Sequence, residues 1–114
     1  MKEFELKKII AGRGFYCKIN YEIELIDFKY GKTDFDIYNK WHNSVAFASD
    51  YFFDKYSIYK DRGFKLQIQG IHDMIIDTTP VVVVYSIIML LAKETGYIIT
   101  DFTINENGNL IFPK

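Results

Sequence analysis

Near its start the chain alternates polar and apolar residues with a period of two, the signature of a half-buried strand. Phe4 and Leu6 alternate with Glu3, Glu5 and Lys7 through Ile10, and Ala11-Gly12-Arg13-Gly14 breaks the run. A second strand places Cys17, Ile19, Tyr21, Ile23 and Leu25 on one face and Lys18, Asn20, Glu22 and Glu24 on the other. The two are expected to pair as a hairpin. Asp27 to Asp36, which contains Tyr30-Gly31-Lys32, sustains no period and predicts a surface loop, with at most a short strand at its start.

The period then changes to that of a helix. Trp41, Val45, Ala48, Phe52, Tyr56 and Tyr59 recur at steps of three and four, with Asp36 or Asn39 as candidate caps and Gly63 as the stop. Phe64 to Gln69 returns to strict alternation as a third strand. Val81 to Leu91 opens on four valines, which favour a strand, but its flanks favour a helix. Thr79 can cap orphan N–H groups, Pro80 pre-sets the first helical φ, and Lys93-Glu94-Thr95-Gly96 ends the element. With Ser86 nearly its only polar residue, this helix must be buried on most sides or meet a partner. Tyr97 to Ile104, a turn at Asn107-Gly108 and Asn109 to Phe112 predict a closing hairpin, Asn-Gly being the preferred type I′ pair. The order ββαβαββ implies an α+β fold: an antiparallel or mixed sheet with two helices packed on one face, in a single domain over residues 1–114.

Composition narrows the class. Hydrophobic residues at 49% and charged residues at 25% are globular values. Lys+Arg 14 against Asp+Glu 15 gives no overall basic field to attract nucleic acid or an anionic membrane. Cys17 is the only cysteine, so an internal disulfide is impossible and a reducing, cytoplasmic setting is expected. No signal core or membrane-length apolar run is visible. Ten Phe, nine Tyr and one Trp exceed what a core of this size requires. Either some rings serve as surface anchors for a partner, or low-GC coding bias has inflated Phe and Tyr together with Ile, Lys and Asn.

Candidate chemistry is sparse. His42 and His72 are the only ordinary bases for a nucleophile, and Cys17 shares the apolar face of its strand, as a core residue would. His72, Asp73 and Asp77 form a tight group of potential ligands without a known metal spacing, and Asp77 can instead cap the turn that follows. Gly12-Arg13-Gly14 is too short for a phosphate loop. Lys7, Lys8, Arg13 and Lys18 flank Phe15 and Tyr16 as an RNA-binding sheet would require, but Glu22 and Glu24 follow on the face of Lys18. No catalytic residue, metal or cofactor is therefore expected.

The richest stretch is Tyr30 to Trp41, where Tyr30, Phe35, Tyr38 and Trp41 mingle with Asp34, Asp36 and Lys40. Rings among carboxylates suit the surface of a basic protein, because rings supply buried area and acids steer association. Alternatively, Phe35 and Trp41 staple the loop and helix to the core. Asp50 and Asp54 on the first helix extend the acidic set.

Two resemblances bear on function. Phe64 to Gly96, a strand followed by Asp77-Thr78-Thr79 and an apolar helix, resembles part of the fourth domain of elongation factor G. In that family the corresponding loop carries a histidine near a ribosome-facing tip, and His72 lies near the matching place, with four residues between it and Asp77. In general character, a small, aromatic-rich, mildly acidic chain without a catalytic set is similar to the immunity proteins that bacteria pair with secreted nuclease toxins. The leading expectation is a non-enzymatic bacterial binding protein, a stoichiometric inhibitor of a basic toxin domain. Its partner-binding residues would be Tyr30, Asp34, Phe35, Asp36, Tyr38, Trp41, Asp50 and Asp54, and pairing with a second copy of the chain is a further option. The alternative is RNA or ribosome binding through Arg13, Lys18 and the His72 loop.

Overall fold

The computed structural model describes residues 2–36, 40–105 and 107–113. Strands β1 (Lys2–Ile10) and β2 (Arg13–Ile26) form the expected hairpin, followed by β3 (Gly31–Phe35), α1 (His42–Lys60), β4 (Gly63–His72), α2 (Pro80–Thr95), β5 (Thr103–Ile104) and β6 (Leu110–Ile111). The first four strands make one mixed sheet in the order β1-β2-β4-β3, and β5 and β6 make a separate hairpin. The α+β class and the two helices follow the sequence reading, with one strand added. That strand is β3, which lies within the stretch read as a loop and runs parallel to β4 at the sheet edge, Phe35 opposite Ile68. Its edge position explains why it was hard to read: with solvent on one face and one edge, only Thr33 and Phe35 turn inward, too few to set up a period.

Alternation along β2 sends Phe15, Cys17, Ile19 and Tyr21 into the core, joined by Phe64, Leu66 and Ile68 from β4. The opposite face carries Tyr16, Lys18, Glu22 and Glu24 from β2 with Lys65 and Gln67 from β4. The register shifts between Asn20 and Tyr21, where β4 carries Gln69 as an extra residue, so Ile71 turns inward as Leu66 and Ile68 do.

Both ends of α2 match the signals in the sequence. The Thr79 hydroxyl accepts from the Val82 N–H at 3.3 Å, Pro80 opens the first turn, and Gly96 closes it at φ 75° with its N–H bonded to the Ala92 carbonyl. α1 begins after Trp41 without a side-chain cap, so Asp36 is not its cap; Asn39, the other candidate, lies outside the described residues. It ends two residues before Gly63, at Asp61, in the left-handed conformation.

From Val82 to Ala92 every residue of α2 except Met89 is buried. The sheet, α1 and the C-terminal segment provide that cover. Tyr85 stacks on Phe102 with ring centroids 5.6 Å apart, and Phe102 leads through Tyr51 and Phe112 to Phe47 on α1. Tyr97 packs against Phe52, Tyr56 and Tyr59. Much of the aromatic content therefore binds a third layer to the helices. Residues 97–100, expected to extend a strand, insert rings and aliphatics under this layer and form no ladder, leaving β5 two residues long. In its turn the Asn105 carboxamide accepts from the N–H groups of Asn107 and Asn109, and Gly108 takes φ 79°. Ile104 pairs with Leu110, so the connection is longer than the two-residue I′ turn expected.

At the edge of β1, Lys2 and Tyr21 both donate to the Glu94 carboxylate, at 2.8 and 2.5 Å. Burial works to raise the Glu94 carboxyl, but these two hydrogen bonds and the Lys2 charge hold it below its ordinary value. No helix among the described residues is long and apolar enough to cross a membrane.

Gly63 is where β3 meets the rest of the sheet. A Cβ added there would land on the Tyr30 carbonyl oxygen, which accepts the Phe64 N–H at 2.7 Å. Gly63→Ala is expected to displace the start of β3 and cost about 1–3 kcal/mol, the range for forced backbone shifts in packed sites. Urea denaturation checks this, and a loss below about 0.5 kcal/mol would show that the contact yields easily.

Candidate functional site

The candidate residues divide according to how β3 and α1 present them. Phe35 points inward opposite Ile68, is half-buried, and rests on the His42 ring at 4.5 Å. Trp41 is buried, and its Nε1 donates to the Asp73 carboxylate at 2.8 Å. These two rings serve the fold. Tyr38 lies outside the described residues. Tyr30 is exposed beside Phe28, with Lys65 Nζ 5.9 Å from its ring. Asp34 lies on the open sheet face, 3.6 Å from Lys32, and the Asp36 carboxylate accepts from Gln67. Asp50 and Asp54, one helical turn apart on α1, are exposed and form no ion pair among the described residues.

Between β3 and α1 lies a small cleft of about 90 Å³, lined by Gly31, Lys32, Thr33, Ser49, Asp50 and Phe53 among others. Gly31 is needed here, because a Cβ would press into the Phe53 ring at 2.7 Å. Thr33 Oγ1 and Ser49 Oγ are both buried without a hydrogen-bond partner among the described residues. Buried hydroxyls are normally satisfied, so two in one cleft call for an explanation. The sequence reading missed both. Thr33 lies in a stretch without a sustained period, and Ser49 sits among the apolar residues of α1, where only its helical position beside Ala48 marks it as inward-facing. Among the described residues no strand lies beside the outer edge of β3. Its acids flank that edge, Asp34 on the open face and Asp50 at the cleft.

Elsewhere the candidate groups disperse. His72 turns outward, with Nε2 3.1 Å from the Asn20 amide nitrogen, whereas Asp73 turns to Trp41 and Lys40. Asp77 packs its carboxylate beside Gly14 and does not cap α2, a role taken by Thr79. No group of three or more metal-ligating residues occurs among the described residues. The Thr78 hydroxyl bonds the Tyr16 carbonyl at 2.5 Å and pins the loop after β4 to β2, while its tip exposes Met74, Ile75 and Ile76. Cys17 is fully buried, and burial pushes its thiol up to about 11. In the basic stretch, Phe15 is buried and Tyr16 lies on the opposite face. Lys18 pairs with Glu3 at 3.0 Å, and Arg13 donates to the Asn107 carbonyl. Arg13 and Lys18 are therefore engaged within the chain, and of the two rings only Tyr16 lies on the open face, opposite Lys7. Compared with known proteins, the chain matches no protein-family model and no curated protein.

The Trp41 hydrogen bond holds the Asp73 carboxyl below its ordinary value; burial opposes the shift and Lys40 adds to it. A depressed carboxylate stabilises the fold fully above its unfolded value and loses that contribution as pH falls through the folded one. Trp41→Phe should therefore cost about 1.5–3 kcal/mol at pH 7, the range for hydrogen bonds to charged groups. The gap from the natural chain should narrow in acid, as pH falls through the lowered Asp73 value and the carboxyl becomes protonated in both states. Denaturant titrations at pH 7 and in acid read the difference. An unchanged gap would assign the effect to packing alone.

Proposed function

We propose that this chain is a non-enzymatic binding protein that neutralises a basic protein partner by forming a stoichiometric complex, in the manner of a bacterial immunity protein acting on a nuclease toxin in the cytoplasm. The observation that carries this reading is the cleft between β3 and α1, lined by Asp50 and by two residues with buried, unsatisfied hydroxyls, beside a strand edge left open among the described residues. A primary ammonium offers three donors and no acceptor, so one lysine side chain would satisfy Thr33, Ser49 and Asp50 together. An extended segment of the partner would deliver it by adding a strand to β3, the main chain supplying affinity and the cleft supplying specificity.

Around that anchor, Asp34, Asp36 and Asp54 would steer a basic surface toward the edge, and exposed Tyr30 and Phe28 would bury apolar area at its start. Lysines that hold nucleic-acid phosphates are the groups such a site would engage, so inhibition follows from occlusion. Carboxylates on the open face and the ion-paired Lys18 favour a basic protein over RNA as the partner.

This reading requires a toxin gene beside that of the chain, and the test is a titration of the natural chain with its product. Asp50→Lys should weaken a 1:1 complex by about 30-fold or more, consistent with about 2–5 kcal/mol for a desolvated charge pair. Glu24→Lys, a comparable charge change away from the cleft, should change affinity less than about threefold. Equal effects from the two variants, or none from Asp50→Lys, would overturn the assignment of the cleft.

A further inference from the structure

The opposite edge of the sheet is also open and is longer. β1 has β2 on one side and, among the described residues, no strand on the other, leaving one edge of nine residues unpaired. Its inner face carries Lys2, Phe4, Leu6, Lys8 and Ile10, and its outer face Glu3, Glu5, Lys7 and Ile9, as the register with β2 shows. Phe4, Leu6 and Ile10 pack against the core yet remain only half covered. Lys7 is exposed and makes no ion pair among the described residues.

We infer that β1 pairs antiparallel with β1 of a second copy about a two-fold axis at Leu6, joining the two four-stranded sheets into one of eight strands. The charge pattern selects both partner and register. A two-fold at Leu6 sets Leu6 opposite itself and Glu5 opposite Lys7 of the other copy, twice over by symmetry. It also sets Phe4 opposite Lys8, Glu3 opposite Ile9 and Lys2 opposite Ile10, so all nine residues pair and no like charges meet. Sliding by one face-preserving step in either direction puts Glu5 on Glu5 or Lys7 on Lys7, which is repulsive.

Inward-pointing Lys8 is the kind of residue that blocks indiscriminate edge pairing, and in this register its aliphatic stem lies over the Phe4 ring of the second copy. The two-fold keeps the helices of both copies on one face. Because α2 contacts both β1 and β2, and strands lie about 4.8 Å apart, the two α2 helices would run about 10 Å apart, a normal packing distance. Both β3 edges remain open in such a dimer, so it would display two partner sites at opposite ends of one sheet.

Sedimentation of the natural chain at about 100 µM should show a dimer, with a dissociation constant raised at least about tenfold by Lys7→Glu, which places Glu5 against an acid. Glu5→Lys should dissociate it likewise, whereas an equimolar mixture of the two variants should restore a dimer, since lysines then face glutamates at all four positions. Leu6→Cys should give a disulfide-linked dimer under mild oxidation, because directly opposed residues lie within about 4.5–5.5 Å between Cα atoms, and Glu3→Cys should not. A monomer at 100 µM, a dimer indifferent to Lys7→Glu, or cross-linking by Glu3→Cys in place of Leu6→Cys would each overturn the inference. Partner binding by the Lys7→Glu variant reads the β3 site separately.

Discussion

The constraint that organises this molecule is the surface of α2, apolar on nearly every side from Val82 to Ala92. A helix of that kind cannot rest on a sheet alone, because one flat face covers only about half of it. β1 and β2 cover one flank, α1 covers the next, and the C-terminal segment closes the remainder through Phe102 on Tyr85. Sheet, helix pair and aromatic strap are consequences of burying that one cylinder. Within one copy the second helix meets its own sheet, α1 and the C-terminal segment.

This architecture decides where recognition can occur. One sheet face is taken up by the helices, and the rings that looked surplus largely hold the strap in place. The other sheet face carries cations and acids in mixture, with Lys18 paired to Glu3 and Tyr16 bonded to Glu5. What the fold leaves incomplete is its margins: two strand edges, one acidic and backed by unpartnered hydroxyls, the other bearing both charge signs in self-complementary order. Strand edges are costly to leave exposed, and natural proteins either guard them or use them. The acidic margin suits a foreign basic strand, and the mixed margin suits a copy of itself.

Local chemistry made much of the fold legible. Thr79-Pro80 and Gly96 outweighed four valines, because caps and αL positions act at fixed places whereas β propensity depends on context. β2 was legible because a strand with one buried face imposes strict alternation. β3 was not, since an edge strand of five residues, parallel to a neighbour more than thirty positions away, leaves almost no local trace. Trp41 and Phe35 could equally have been surface anchors or staples, and only the Asp73 and His42 contacts show that they face inward. The cleft depends on Thr33 and Ser49 meeting across two elements, and no spacing along the chain encodes such a meeting. Asp34, Asp36 and Asp50, by contrast, were visible from the outset as acids near rings.

The central claim is that the β3 margin receives a cationic group on an extended strand. A crystal structure of the chain with its natural partner addresses this most directly. The account requires a partner backbone laddered along Gly31–Phe35, with a lysine nitrogen within hydrogen-bond reach of Thr33, Ser49 and Asp50. A partner seated against the His72 loop or the open sheet face, with that cleft unfilled, would contradict it.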